Sequence, residues 1–208
     1  MTDDRTQRGS AALWLAAAQE AFLESGVEAV KIQPLANKLQ LSRTSFYWFF
    51  ADREALLAAL LEQWRTGNTG NLVSRAAAYA DSVAEAMLNV IDCWIDPTLF
   101  DDRFELAIRS WAVQSPHVRA AVQIADAERM TALADMLIRF GEDGLRADVR
   151  ARTIYLTQIG YISLQTSEDM ATRMARIPAY VETFTGREPQ PRELARFHAR
   201  HGVGSHGV

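Results

Sequence analysis

Hydrophobic residues recur along this chain at the spacing of amphipathic α-helices. The first stripe follows the i, i+3, i+4, i+7, i+8 pattern, ends near Gly26 and consists of Trp14, Ala17, Ala18, Ala21 and Phe22. A shorter stripe runs from Ile32 to Leu39, where Pro34 is tolerated because it lies in the first turn. A third, very short segment covers residues 43–50. The N-terminal part of the chain therefore predicts three consecutive helices.

Capping residues mark where the later helices begin. Good N-caps open helices at Asp52, Ser82 and Ser115, and Ser82 is followed three residues later by the Glu of a capping box. The remaining helical segments are predicted after Pro97, over residues 148–165, over 167–184 and from Pro191. Strand-like alternation of apolar and polar residues is missing. The sequence therefore predicts an all-α protein.

Composition narrows the class of protein. The 208 residues are 49% hydrophobic and 23% charged, as in ordinary soluble globular proteins. No apolar run approaches the roughly 18 residues of a membrane span, and the N-terminus shows no targeting segment, so we expect a cytoplasmic protein that does not enter a membrane. A single cysteine, Cys93, excludes an internal disulfide framework. The net charge of −4 disfavours wholesale coating of nucleic acid but is compatible with a local basic face.

Residues 32–53 have the organisation of a helix-turn-helix, in which the second helix is presented to the DNA major groove. Gln40, Leu41 and Ser42 join the two short helices, and Ser42 is placed to cap the second one. Residues 30–53 contain four basic side chains and one acidic side chain, although the whole chain is acidic. The aromatic residues expected to face inward are Phe46, Phe49 and Phe50.

The outward positions of the second helix carry side chains that suit DNA. Arg43 is matched to a guanine edge, Thr44 to a base or a thymine methyl, and Tyr47 to a backbone phosphate. The expected DNA-binding residues are Lys31, Ser42, Arg43, Thr44, Tyr47, Trp48 and Arg53. A short aromatic-rich helix taken alone is typical of a protein core. The turn, the outward polar set and the basic excess together favour DNA binding.

The stretch from Ala17 to Leu57 resembles the DNA-binding domain of the tetracycline-repressor (TetR) family of bacterial regulators. The similarity lies in the AA…F…G of the first helix, the I-x-x-L-A of the second, the recognition segment LSRTSFYWFF and the DREALL that follows it. We accordingly expect a helix-turn-helix domain over residues 8–52, a helical effector-binding and dimerisation domain over 53–200, and a flexible tail over 201–208.

Two positions depart from the family pattern. Lys31 stands where a capping Thr or Ser is frequent, which weakens the cap but adds a cation that suits phosphate. Gln40 replaces a frequent turn glycine, so the turn is expected to be slightly strained. Neither departure removes a DNA-facing group.

The resemblance also implies a small-molecule pocket among the middle helices. Apolar and aromatic residues with a few polar neighbours have the composition of such a site. The expected lining is Met87, Trp94, Phe104, Ile108, Trp111, Gln114, Tyr155 and Gln158. Plain core packing is the alternative for each large apolar residue of this set.

A narrow apolar seam in the last long helix predicts a dimer interface. Its residues are separated by steps of 4, 3, 4 and 3, as in helices that pack against a partner helix. The expected interface is Gly160, Ser163, Met170, Met174, Ile177, Val181 and Phe184. Pro178 should kink or divide the seam, and burial of the stripe inside one chain is the alternative.

Together these features predict a ligand-responsive transcriptional regulator: a repressor that binds a palindromic operator in double-stranded DNA as a homodimer and is released by a small, partly apolar effector. No phosphate-binding glycine loop, zinc-ligand spacing or nucleophile motif is present, so no enzymatic activity, cofactor or metal is expected. His198, His201 and His206 are expected to fray in the tail. The alternatives are a helical interaction protein without specific DNA binding and, less favoured, a small-molecule enzyme.

Overall fold

A computed structural model describes residues 9–202, and within this range the chain forms helices and turns without a strand. The prediction of an all-α protein is confirmed. The helices are α1 (Ala11–Ser25), α2 (Ile32–Leu39), α3 (Arg43–Phe46), α4 (Arg53–Trp64), α5 (Asn71–Ala77), α6 (Val83–Ile95), α7 (Asp102–Gln114), α8 (Pro116–Arg139), α9 (Gly144–Ser163), α10 (Met170–Thr185) and α11 (Pro191–Arg200). A 3-10 turn at Val27–Ala29 follows α1, and a π-helical stretch at Arg65–Gly70 joins α4 to α5.

The predicted capping residues begin and end the helices. Gly26 ends α1 with a φ of 76°, and its N–H donates to the Phe22 carbonyl at 2.8 Å. Asp52 caps α4 by accepting from the Ala55 N–H at 2.8 Å. Ser82 caps α6 in the same way. Pro178 lies inside α10 without dividing it.

The chain forms two compact units. The first contains the residues up to Arg65 together with Arg103–Val122, and the second contains Thr66–Asp102 together with the residues from Gln123 onward. These units are defined by compactness. The boundaries expected at residues 52 and 200 instead separate the DNA-binding part, the effector-binding and dimerisation part and the tail. That functional division remains a prediction. Of the tail expected over 201–208, residues 203–208 lie outside the described part of the chain.

The core of the first unit is rich in aromatic side chains. Phe22 of α1 packs edge-on against Phe104 and Trp111 of α7, with ring centroids 6.1 and 5.8 Å apart. Trp64 is also buried, and its indole Nε1 donates to the fully buried carboxylate of Glu105 at 2.7 Å. Helix α7 is therefore part of the structural core that supports the N-terminal helices.

A buried arginine organises the second unit. Arg129 is fully buried and donates to the Thr69 hydroxyl and to the Tyr155 hydroxyl, each at 2.9 Å. Tyr155 in turn donates to Asp126 at 2.5 Å. Because a charge in the protein interior is tolerated only when it is paired and hydrogen-bonded, this network ties α8 and α9 to the π-helical stretch.

Helix α11 is fixed to α6 at both of its ends. At its start, the buried Glu193 accepts from the Ser82 hydroxyl and from the Gln190 N–H, each at 2.7 Å. At its end, Arg200 and His201 contact the buried carboxylate of Asp92, at 3.2 and 2.8 Å. His201 is therefore held in place rather than frayed as expected.

Candidate nucleic-acid interface

The turn between α2 and α3 has a left-handed residue at its centre. Gln40 adopts φ 56° and ψ 35°, and the following residue, Leu41, donates its N–H to the Ala36 carbonyl at 2.9 Å. This geometry is the one that glycine adopts most readily, so a glutamine side chain stores a small strain here. The expectation of a strained turn at this position agrees with the backbone.

Ser42 begins α3 as a two-way cap. Its hydroxyl accepts from the Ser45 N–H at 3.2 Å, and its carbonyl accepts from the Ser45 hydroxyl at 2.8 Å. Local hydrogen bonds therefore define the start of the short helix and occupy the Ser42 side chain.

Phe46 anchors the recognition segment to the first unit. It is fully buried and stands edge-on to Trp14 of α1, with ring centroids 5.3 Å apart. Phe50 packs against it at 5.6 Å. The expectation that Phe49 also faces inward is wrong, because its side chain is 37% exposed after the helix gives way to a turn at Tyr47.

The outer face of the segment carries the side chains predicted to contact DNA. Arg43, Thr44, Tyr47 and Trp48 are all exposed, the last two by 50% and 66%. The Arg43 guanidinium donates to the Tyr47 hydroxyl across one helical turn, at 3.5 Å. Burial of Phe46 and exposure of these four residues fix which face of the segment is available to a ligand.

The basic residues near this face differ in how they are used. Lys31 is exposed at the start of α2 and makes no side-chain cap, as the sequence predicted. Lys38 pairs with Glu20 at 2.9 Å. Arg53 has partners within the chain: its Nε and Nη2 donate to the Val30 and Val27 carbonyls, each at 2.7 Å. Its guanidinium holds the 3-10 turn and the residue after it, and its role in DNA binding remains a prediction.

A separate cavity lies wholly in the second unit, between α6, α9 and α10. It is partly open to solvent, and its lining is mainly apolar. The lining residues are Ile91, Trp94, Ile95, Ile154, Thr157, Gln158, Tyr161, Glu168, Arg173, Ile177, Tyr180 and Phe184. A concave site with a mainly apolar lining and a few polar groups has the character of a small-molecule site.

Only two of the eight residues predicted for an effector pocket, Trp94 and Gln158, line this cavity. Met87 is fully buried in α6, and Tyr155 is used by the Arg129 network. The other four predicted residues belong to α7. Gln114 is exposed there, and the three apolar residues pack in the first unit, namely Phe104, Ile108 and Trp111. Sequence reasoning missed the lining from α10 because it assigned that stripe to a dimer interface.

The seam of α10 is internal. Met174, Ile177, Val181 and Phe184 are buried within the single chain, with at most 8% of each residue exposed. This corrects their assignment to a dimer interface, because a surface already covered inside one chain is not available to a second copy. The other three residues of the predicted interface remain accessible: Gly160, Ser163 and Met170.

Two tyrosines of the cavity lining are hydrogen-bonded to each other. The hydroxyls of Tyr161 and Tyr180 are 2.6 Å apart. The hydrogen bond to Tyr161, together with burial, raises the pKa of Tyr180 above its ordinary value. The Tyr180 phenol therefore stays protonated at neutral pH.

Among the residues that the structure describes, no group of three His, Cys, Asp or Glu side chains is arranged to hold a metal ion. None of the helices within residues 9–202 combines the length and apolar character needed to cross a membrane.

Comparison with known proteins supports the interpretation of the N-terminal helices. Residues 15–60 match the family described as bacterial regulatory proteins, tetR family. This match covers most of α1, all of α2 and α3 and the first part of α4, which are the elements that build the exposed recognition face. No curated protein matches the chain significantly.

Solved structures share the fold over nearly the whole chain. Salmonella enterica GusR has 14% identity and a TM-score of 0.63, with 95% of this chain and 97% of that chain covered. A putative TetR-family transcriptional regulator from Mesorhizobium loti has 15% identity and a TM-score of 0.57, with 95% and 98% covered. A transcriptional regulator from Rhodococcus sp. Rha1 has 18% identity and a TM-score of 0.56, with 92% and 97% covered.

The all-helical fold and the exposed helix-turn-helix define a DNA-binding transcriptional regulator. Residues 15–60 have the N-terminal domain of the tetR family, so the resemblance predicted from the sequence is confirmed over these residues.

Proposed function

We propose that two copies of this chain bind a palindromic operator as a repressor, in the bacterial cytoplasm, and that a small, partly apolar effector releases them. The observation that carries the DNA-binding part is the outer face of α3. Arg43, Thr44 and Tyr47 project from a segment whose position is set by the buried ring of Phe46. Lys31 adds an exposed cation at the start of the preceding helix. These groups supply both base-edge and phosphate donors.

The dimer part of the proposal uses the outer face of α9 in place of the internal seam. Leu145, Val149 and Leu156 lie on one stripe of this helix and are 76%, 54% and 59% exposed. Gly160 and Ser163 continue the same stripe, and a Cβ added at Gly160 would meet no atom within 4 Å. An exposed apolar stripe that ends in small residues suits close packing against the same helix of a second copy.

The effector part rests on the cavity of the second unit. A ligand can weaken DNA binding only if it binds the non-DNA conformation more tightly, and DNA then weakens ligand binding by the same factor. A preference of about 2.7 kcal/mol would lower operator affinity roughly a hundredfold.

Selection of bound sequences from random double-stranded DNA tests the proposal. We expect a palindrome whose half-sites are separated by about one turn, roughly 34–36 Å, because a two-fold dimer presents two recognition helices. Arg43→Ala serves as the matched variant in the same selection. Enrichment of no sequence by the wild-type protein would contradict specific DNA binding and favour a helical interaction protein. Enrichment of a single half-site would contradict the dimer.

A further inference from the structure

The cavity between α6, α9 and α10 has an apolar body with one unsatisfied polar group. Its walls are largely isoleucine and aromatic side chains, including Trp94, Ile154 and Phe184. Gln158 is 92% buried, since only 8% of it is exposed, and its Nε2 has no hydrogen-bond partner within the described part of the chain. A buried N–H group without a partner is unfavourable by itself, so this amide is a site where a ligand acceptor would be stabilised.

The tyrosine pair supplies a second donor. Tyr161 and Tyr180 share one hydrogen bond between their hydroxyls, so one phenolic hydrogen bridges the pair and the other remains. Both residues line the cavity. The neighbouring Thr157 is different, because its hydroxyl already donates to the Thr153 carbonyl at 2.6 Å.

The charges at the cavity leave a positive excess. Glu168 forms an ion pair with Arg176, which neutralises the one carboxylate of the lining. Arg173 also lines the cavity, is half-buried and makes no ion pair with any carboxylate among residues 9–202. The polar groups that remain for a ligand are therefore mainly donors, and one of them is a cation. A carboxylate, which only accepts hydrogen bonds, complements such a set.

We propose that this cavity binds small monocarboxylates with an apolar or aromatic body, whose carboxylate is held by Arg173, Gln158 and the tyrosine pair. Binding of a carboxylate in the cavity does not depend on the proposed function. Only the statement that this ligand is the effector rests on it. The ring or alkyl chain packs against the walls formed by Trp94 and the isoleucines. The carboxylate faces the donors, where bidentate contact with a guanidinium is favourable.

Calorimetric titration of the full chain with four probes tests the ligand class. Benzoate and hexanoate are the carboxylates, benzamide is the neutral counterpart of benzoate, and benzylamine is the cation. We expect both carboxylates to bind, and benzamide and benzylamine to bind at least about tenfold more weakly than benzoate. Equal binding of benzamide and benzoate would overturn the assignment, as would the failure of both carboxylates to bind.

Two variants test the residues. Arg173→Gln removes the cation, and Gln158→Glu replaces the free donor by an acceptor of nearly the same shape. Each should weaken benzoate binding about tenfold to a hundredfold, since hydrogen bonds to charged groups are strong. Arg146→Gln is the matched control, because Arg146 lies on the same helix as Gln158, pairs with Asp143 and is 75% exposed outside the cavity. Benzoate affinity unchanged by Arg173→Gln, in a protein with an unchanged melting temperature, would overturn the proposal.

The outcomes for the cavity and for DNA are separable. Ligand binding is measured on the protein without DNA, and the operator selection is performed without ligand. Failure of the selection leaves the carboxylate site standing as a binding site. Failure of the titrations removes the carboxylate assignment and leaves DNA binding intact.

Discussion

The Arg43 guanidinium and the Tyr47 hydroxyl are 3.5 Å apart on the outer face of the helix-turn-helix, one turn from each other. A contact of this length is weak, and both side chains are exposed. DNA binding can therefore separate the pair at small free-energy cost, which releases the arginine toward a base and the tyrosine toward a phosphate.

Arg43→Ala is expected to lower operator affinity by about 1–3 kcal/mol and to relax the base preference at one position of each half-site. The reason is that an exposed guanidinium can donate two hydrogen bonds to a guanine edge in the major groove. Fluorescence anisotropy with the selected operator and with single-base variants of it measures both effects. A uniform loss over all sequences would assign Arg43 to the phosphate backbone instead.

Tyr47→Phe is expected to weaken binding to all sequences about equally, because a phosphate contact carries no sequence information. The same titrations measure it, and the ring that packs against Phe46 at 5.3 Å is retained in this variant. A change in base preference with Tyr47→Phe would reverse the roles given to the two residues.

Substitutions at Arg53 and at Lys31 should have different effects: the first should lower stability and the second should lower DNA affinity. Arg53→Gln removes the hydrogen bonds to the Val27 and Val30 carbonyls, so the free energy of unfolding should fall by about 1–3 kcal/mol. Lys31→Gln should leave urea denaturation nearly unchanged but lower the slope of log affinity against log salt by about one. If Arg53→Gln leaves the stability unchanged but lowers the salt dependence of DNA affinity, Arg53 contacts DNA instead of stabilising the fold.

Charge on the outer face of α9 should dissociate the proposed dimer without unfolding the chain. Val149→Glu with Leu156→Glu places carboxylates on two residues that are more than half exposed. We expect light scattering to report monomers with unchanged helical content by circular dichroism. Ile177→Glu is the contrasting variant, because Ile177 is 3% exposed and a charge there should unfold the second unit. A dimer that persists in the double variant would place the interface elsewhere.

Cys93 should be unreactive in the folded protein. The residue is fully buried, and burial raises the pKa of its thiol from an ordinary 9.0 to about 12. Dithionitrobenzoate at pH 8 should therefore modify it only after denaturation. Because the folded-state pKa is the higher one, this group contributes stability below pH 9 that is lost as the pH rises from 9 toward 12. Rapid labelling of the native protein would contradict this environment.

Local patterns predicted most of the helices and the recognition face. Caps such as Asp52 and Ser82 act within one turn of sequence, so their hydrogen bonds can be anticipated without knowing the fold. The alternation that buries Phe46 and exposes Arg43 is also local. These features were predicted correctly because neighbouring residues determine them.

The cavity and the seam depend on contacts between distant segments. A 4, 3, 4, 3 stripe shows that α10 buries one face, but it does not show whether α6 or a second chain covers it. In the same way, the sequence shows that Arg53 is a cation close to the predicted recognition helix. Only the fold shows that its guanidinium donates hydrogen bonds to the Val27 and Val30 carbonyls. Such partners cannot be read from spacing alone.

The partners of Asp92 affect how the chain folds during synthesis. This buried carboxylate is paired with Arg75, Arg200 and His201, two of which are made more than a hundred residues later. Because domains begin to fold as they leave the ribosome, the N-terminal helices can form their aromatic core while Asp92 still lacks two of its three partners. An incompletely paired buried carboxylate is unfavourable, so the second unit reaches full stability only after residue 201 has emerged. A nascent chain therefore acquires its DNA-facing helices well before the part that holds the cavity.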